Sequence, residues 1–93
     1  MVTAFLLVNA EIGSESKVMR ALKTIDTVEF AYLVYGVYDI VVKIKAESID
    51  ALKEIITSRL IRSNLVKSST TMIVIPEKQN FNTSREEVPT ISF

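Results

Sequence analysis

The chain has 93 residues, of which 48% are hydrophobic, and its eleven basic side chains balance eleven acidic ones. A chain of this length makes a single domain with a thin core, and its even charge provides no field to steer it toward phosphate backbones or anionic lipid. It has neither cysteine nor histidine, which excludes disulfides, thiolate and imidazole catalysis, and the common zinc sites.

The opening Val2-Thr3-Ala4-Phe5-Leu6-Leu7-Val8-Asn9 reads as a strand. Its apolar run falls far short of the ~20 residues that span a bilayer and lacks a basic flank, so a buried strand of a cytoplasmic protein is expected. Gly13-Ser14 then offers a break and a helix N-cap. Val18, Ala21, Leu22 and Ile25 recur at the spacing of one helix face, with Glu15, Lys17, Arg20 and Lys23 mostly off it.

After Asp26-Thr27 the pattern changes to two strands, Val28 to Tyr35 and Tyr38 to Ile44, joined at Gly36. Glycine supplies the backbone angles of a tight connection, so a hairpin is predicted. Asp39 sits among tyrosines in this apolar stretch. Aspartate is depleted in strands and costly to bury unpaired. Either it is a solvated residue at the end of a hairpin, or it awaits a cationic partner in a small-ligand pocket.

Ser48 is placed to cap a second helix with Asp50 in its first turn, and Ile49, Leu52, Ile56 and Leu60 form its apolar stripe. A last strand is expected from Val66 to Ile75, ended by Pro76. Its run Ser68-Ser69-Thr70-Thr71-Met72 suits the start of a strand, and equally suits hydrogen bonding to a ligand. Residues 1–76 thus form the expected domain. Residues 77–93 are polar and aperiodic before Val88-Pro89-Thr90-Ile91-Ser92-Phe93. They form a tail that is either disordered or docked on a neighbouring subunit through Phe81, Val88, Ile91 and Phe93.

The order βαββαβ predicts an α+β, ferredoxin-like sandwich: a four-stranded antiparallel sheet with two helices on one face. Both residue rows of the strands are largely apolar, whereas a solvated face alternates with polar residues. The second face is therefore expected to bury itself in a two-fold dimer.

No phosphate loop can be built from Gly13 and Gly36, and no hydrolase or metalloprotease motif occurs. Asp39, Glu29 and Glu47 are the carboxylates that acid–base chemistry would need, but no histidine accompanies them, and Glu29 and Glu47 read as solvated charges. An RNA-recognition module shares the strand order, and Tyr35-Gly36-Val37-Tyr38 superficially suits one. The basic flank and the aromatic continuation are missing, because Asp39-Ile40-Val41-Val42 follows. A zwitterionic amino acid fits better: Asp39 would accept from its ammonium group, while backbone N–H groups near Gly36 and the hydroxyls of Thr70 or Thr71 would meet its carboxylate.

Together these segments resemble the effector-binding module of the leucine-responsive and asparagine-responsive (Lrp/AsnC) regulators, the RAM domain, over residues 2–75. The carriers are Val2 to Val8, the hairpin Val34-Tyr35-Gly36-Val37-Tyr38-Asp39-Ile40-Val41-Val42-Lys43, and the closing Val66 with Thr70-Thr71-Met72-Ile73-Val74-Ile75. The family often has glycine before the valines that open its second and fourth strands, where this chain has Thr27 and Leu65. The resemblance implies dimers paired through their sheets, rings of eight, and amino-acid effectors held between dimers. It implies Gly36, Tyr38 and Asp39 as pocket residues, with Tyr35 and Val37 beside them and Thr70, Thr71 and Met72 on the last strand.

Members of the family carry a helix-turn-helix domain before this module, and none is expected before Val2 here. The expectation is a stand-alone, non-enzymatic amino-acid sensor without cofactor or metal. It would modulate transcription through DNA-binding relatives and would not itself touch nucleic acid or membrane. The alternatives are a small dimeric α+β-barrel enzyme using Asp39 with Tyr35 or Tyr38, and a ligand-free assembly module.

Overall fold

Alternation of apolar residues along the strands sets which rows meet the helices, and the architecture follows from it. The computed structural model describes residues 1–75; Pro76 and the expected tail lie outside them. The elements are β1 (Val2–Ala10), α1 (Glu15–Lys23), β2 (Val28–Leu33), β3 (Ile40–Ala46), α2 (Ile49–Ile55) and β4 (Val66–Ile73). The sheet runs β2-β3-β1-β4 and every neighbouring pair is antiparallel. This is the expected ferredoxin-like α+β fold.

One row of each central strand is buried: Ala4, Leu6, Val8 and Ala10 of β1, and Ile40, Val42, Ile44 and Ala46 of β3. These pack against Val18 and Leu22 of α1, Ile25 just after it, and Leu52, Ile56 and Leu60 of the second helical segment. No buried polar residue interrupts this core among the described residues, so its cohesion is apolar burial of ~25 cal/mol per Å².

The two helices start differently. Ser48 caps α2 as expected, its hydroxyl accepting from the Ala51 N–H at 3.0 Å. Ser14 precedes α1 without a side-chain cap bond, its backbone at φ −102° and ψ 2°. Its carbonyl nevertheless receives the Val18 N–H at 3.0 Å.

The second helix continues past α2 as a π-helical stretch, Ile56–Leu60, then a 3₁₀ turn, Ile61–Ser63, closed by Asn64 at φ 61°. Asparagine is among the few residues that adopt left-handed angles at low cost. Ile56 and Leu60, at the two ends of the π-helical stretch, are both buried in the core.

The strands of the hairpin are shorter than their apolar composition suggests. β2 stops at Leu33 and β3 starts at Ile40. One more backbone bond, Val34 N–H to the Asp39 carbonyl at 2.8 Å, closes the ladder, and residues 35–38 bow outward beyond it.

Across the sheet, the other row of residues has no helix over it. Phe5 and Leu7 of β1, Phe30 and Tyr32 of β2, Val41 of β3 and Met72 of β4 share this open face by register. Phe30 stacks on Tyr32 with ring centroids 5.0 Å apart, and Phe5 tilts against Phe30 at 6.5 Å. Glu29, expected to be a solvated charge, is exposed and reaches Lys45 at 3.3 Å and Lys43 at 3.8 Å. A shift in register between Val28 and Phe30 breaks the alternation of β2 here.

Candidate functional site

The expected site residues of the β2–β3 connection lie at the end of the sheet where that connection meets the end of β1. Asp39 is the structural centre of this end. Its peptide N–H donates to the Val8 carbonyl at 3.0 Å, and its carboxylate Oδ2 accepts from the Ala10 N–H at 3.0 Å. The register of β1 against β4 shifts between Asn9 and Ala10. On the other side of β1, the ladder with β3 ends at the Val8–Ile40 pair, and the Asp39 carboxylate is the acceptor that the Ala10 amide finds beyond it. One carboxylate oxygen thus has a backbone duty, and the other makes no hydrogen bond among the described residues.

 The side chain is half-buried and borders the two clefts at this end.

One cleft, of about 430 Å³, is lined by Glu15, Leu33, Val34, Tyr35 and Asp39. The other, of about 400 Å³, lies between the β1–α1 turn and the start of β4. Its walls include Asn9, Ile12, Glu15, Val37, Asp39 and Lys67. Asp39 and Glu15 belong to both, so they form an acidic divide with Tyr35 on one side and Val37 on the other. Chemically, the divide suits a cation, Lys67 suits an anion at one rim, and the apolar side chains suit an aliphatic or aromatic group.

Gly36 has φ +150°, and a Cβ placed there would meet nothing within 4 Å. Backbone angle, rather than space, is what calls for glycine here. Tyr35 is wholly exposed and Val37 nearly so, as is Ile12 across the second cleft. Tyr38 turns the other way, its hydroxyl 2.9 Å from Thr70 Oγ1, which ties the connection to β4.

Strand alternation divides the three expected residues of β4. Thr70 and Met72 are paired with Leu7 and Phe5 on the open face, whereas Thr71 is paired with Leu6 on the helix side. Thr71 borders a separate groove with Ser69 and Ile73. The β4 residues at the clefts beside Asp39 are instead Lys67 and Ser68. Glu15 and Lys67 were not singled out in the sequence. The only signal for Glu15 was its place just after the Gly13-Ser14 break, and Lys67 gave none without the β1–β4 register. Among the described residues, no group of three or more acidic side chains converges to hold a metal ion, and no helix is long and apolar enough to cross a membrane.

Residues 3–83 match the family model described as the Lrp/AsnC ligand binding domain. The chain belongs to the Lrp/AsnC family. No curated protein matches it, but solved structures do. The crystal structure of FFRP-DM1 is 37% identical, with a TM-score of 0.77 over 81% of this chain and 100% of that one. The hypothetical protein PHS023 from Pyrococcus horikoshii is 36% identical, with a TM-score of 0.77 over 86% of this chain and 96% of its own. The transcriptional regulator NMB0573 from Neisseria meningitidis, solved as an L-Met complex, shares the fold at 14% identity and a TM-score of 0.76. There the match covers 85% of this chain and 53% of the regulator. This Lrp/AsnC domain is thus a ligand-binding domain by family, and the acidic divide lies at the end that carries the Gly36-Val37-Tyr38-Asp39 segment.

Proposed function

We propose that this Lrp/AsnC domain senses an amino acid and couples its binding to assembly with further copies. The observation that carries this reading is the acidic divide formed by Asp39 and Glu15, set between two clefts in a chain that matches a ligand-binding family model. The ammonium group of an effector would meet these carboxylates. Its carboxylate would meet Lys67 or peptide N–H groups of the 35–38 connection, and its side chain would lie against Tyr35 or Val37. The L-Met bound in the Neisseria regulator supports an amino acid as the ligand class.

Both clefts are open in a single chain, and Ile12, Tyr35 and Val37 are exposed around them. A second dimer closing over these side chains would complete the lining and exclude water. An effector at such a junction stabilises only the assembled state, so its binding free energy appears as a shift in oligomer size. The open face of the sheet forms the dimer in this scheme. The role is regulatory and non-enzymatic, exerted through DNA-binding members of the family that share the sheet interface.

Isothermal titration against the twenty amino acids, run alongside sedimentation, tests this. One or a few should bind saturably and enlarge the oligomer. Glu15→Gln and Lys67→Met, both outside the core, should weaken binding by roughly tenfold each, equivalent to ~1.4 kcal/mol. Absence of heat with all twenty, with unchanged sedimentation, would leave assembly without a ligand as the better reading.

A further inference from the structure

Away from the hairpin end, α2 and its π-helical extension stand over β4 without filling the space between them. The gap has a plain origin: the helix-facing row of β4 reads Ser69, Thr71 and Ile73, and the first two side chains are short. What remains is a groove of about 370 Å³, with Ile49, Leu52, Ile56 and Ile61 on its helical wall and Thr71 and Ile73 on its strand wall. Ile49, Ile61 and Ile73 are 44%, 53% and 39% exposed, although the sequence gives Ile49 to the apolar stripe of the helix and Ile73 to the last strand. A dry apolar cavity of only ~150 Å³ accepts a benzene ring, so this groove has room for an aromatic side chain and an aliphatic one.

The groove runs beside an edge. β4 pairs with β1 alone among the described residues, and its outer backbone groups form a template for another strand. The chain passes out of the described region at Ile75, two residues beyond Ile73. Within residues 76–93 lies Val88-Pro89-Thr90-Ile91-Ser92-Phe93. In extended form, Pro89, Ile91 and Phe93 would share one face, because strand side chains alternate. A proline is tolerated on an outermost strand, where its missing N–H removes no ladder bond. Just before this segment stand Glu86 and Glu87, which complement Lys53 on the rim of the groove.

We propose that Val88–Phe93 adds along the free edge of β4 in the same chain and seats Ile91 and Phe93 in the groove. Residues 76–87 supply the return, since they can span up to roughly 40 Å at ~3.3 Å per residue. Attachment next to the groove gives the segment an effective concentration in the millimolar range, as for other short linkers (~mM), which favours its own chain over a neighbour. The family match ends at residue 83, so this strand is a feature of the chain beyond the shared domain. It leaves the clefts at Asp39 untouched and goes beyond the effector reading.

Hydrogen exchange tests the contact. Removal of residues 88–93 should speed exchange in 49–61 and 66–73 at least tenfold and leave β3 unchanged. Ile91→Ser combined with Phe93→Ser, which alters no core residue, should do the same. Unchanged exchange in both variants would overturn the proposal. The absence of cysteine allows one nitroxide to be attached at Ser92→Cys. Methyl signals of Ile49, Ile56 and Ile61 should then broaden within the labelled chain, even under excess unlabelled protein. No broadening, or broadening only in a second, isotope-labelled copy without a nitroxide, would overturn seating in the same chain.

Discussion

The two faces of this sheet are built from the same strands and differ in what finishes them. On the helix side, Ala4, Leu6, Val8, Ile40 and Val42 are fully buried within one chain. On the open side, Phe5, Leu7, Phe30, Tyr32 and Met72 are as apolar, yet Tyr32 and Met72 remain 60% and 47% exposed. The difference teaches that the apolar residues of the open row are only partly covered within a single chain. The first face should set the stability of the domain, and the second its association.

The sharpest break of that comparison is on the closed side. Leu6 lies at the centre of β1 with no exposed surface, and Leu6→Ala should cost about 3 kcal/mol, as buried leucine truncations do. Denaturant unfolding should show this loss at any protein concentration. On the open side, Phe30→Asp should leave the secondary structure intact by circular dichroism. Its effect should appear on dilution, with self-association weakened by about 2 kcal/mol, roughly thirtyfold, the contribution of burying one phenyl group. If sedimentation shows the same oligomer for the variant and the parent, the open face is not the dimer surface.

Those two faces were legible in the sequence because strand alternation needs only local pattern, and the order βαββαβ needs only its boundaries. The stripe Leu52, Ile56 and Leu60 was legible for the same reason, although not the π-helical turn that carries it. The hairpin end was less so. Nothing local to Asp39 reveals that its partner is the amide of Ala10, since that depends on where the ladder with a strand nearly thirty residues upstream ends. Nor can the run Ser68 to Met72 tell which hydroxyl faces the helices. The register of β1 with β4 settles this and parts Thr71 from Thr70. Glu15 and Lys67 reach the clefts by the same long-range geometry.

Asp39 therefore joins the closed face to the end of the molecule, and Asp39→Ala should separate its two duties. Loss of a hydrogen bond from the Ala10 N–H to a carboxylate should cost about 2 kcal/mol, because the amide is left partly buried. A change in effector binding larger than Glu15→Gln produces would combine lost charge with the displaced connection. Asp39→Asn, whose side-chain carbonyl can still accept from Ala10, isolates the charge. Stability near the parent value with weakened binding is the expected pattern for this variant.

The smallest expected effect belongs to Gly36, at the tip of the connection. Its φ of +150° is one that side chains rarely adopt, yet open space surrounds the position. Gly36→Ala therefore meets a torsional cost and no clash, and an exposed connection can relax part of that cost away. A loss of about 1 kcal/mol is expected, at the low end of the ~1–3 for such strain. The relaxation is the informative part, because it must move Tyr35 and Val37, which border different clefts on either side of the acidic divide. Amide shifts confined to residues 34–39 and the cleft walls, with Leu6 and Val42 unmoved, would show that the tip is shaped by backbone angle alone. Shifts that spread into the core would mean that the hairpin end and the closed face are packed as one unit.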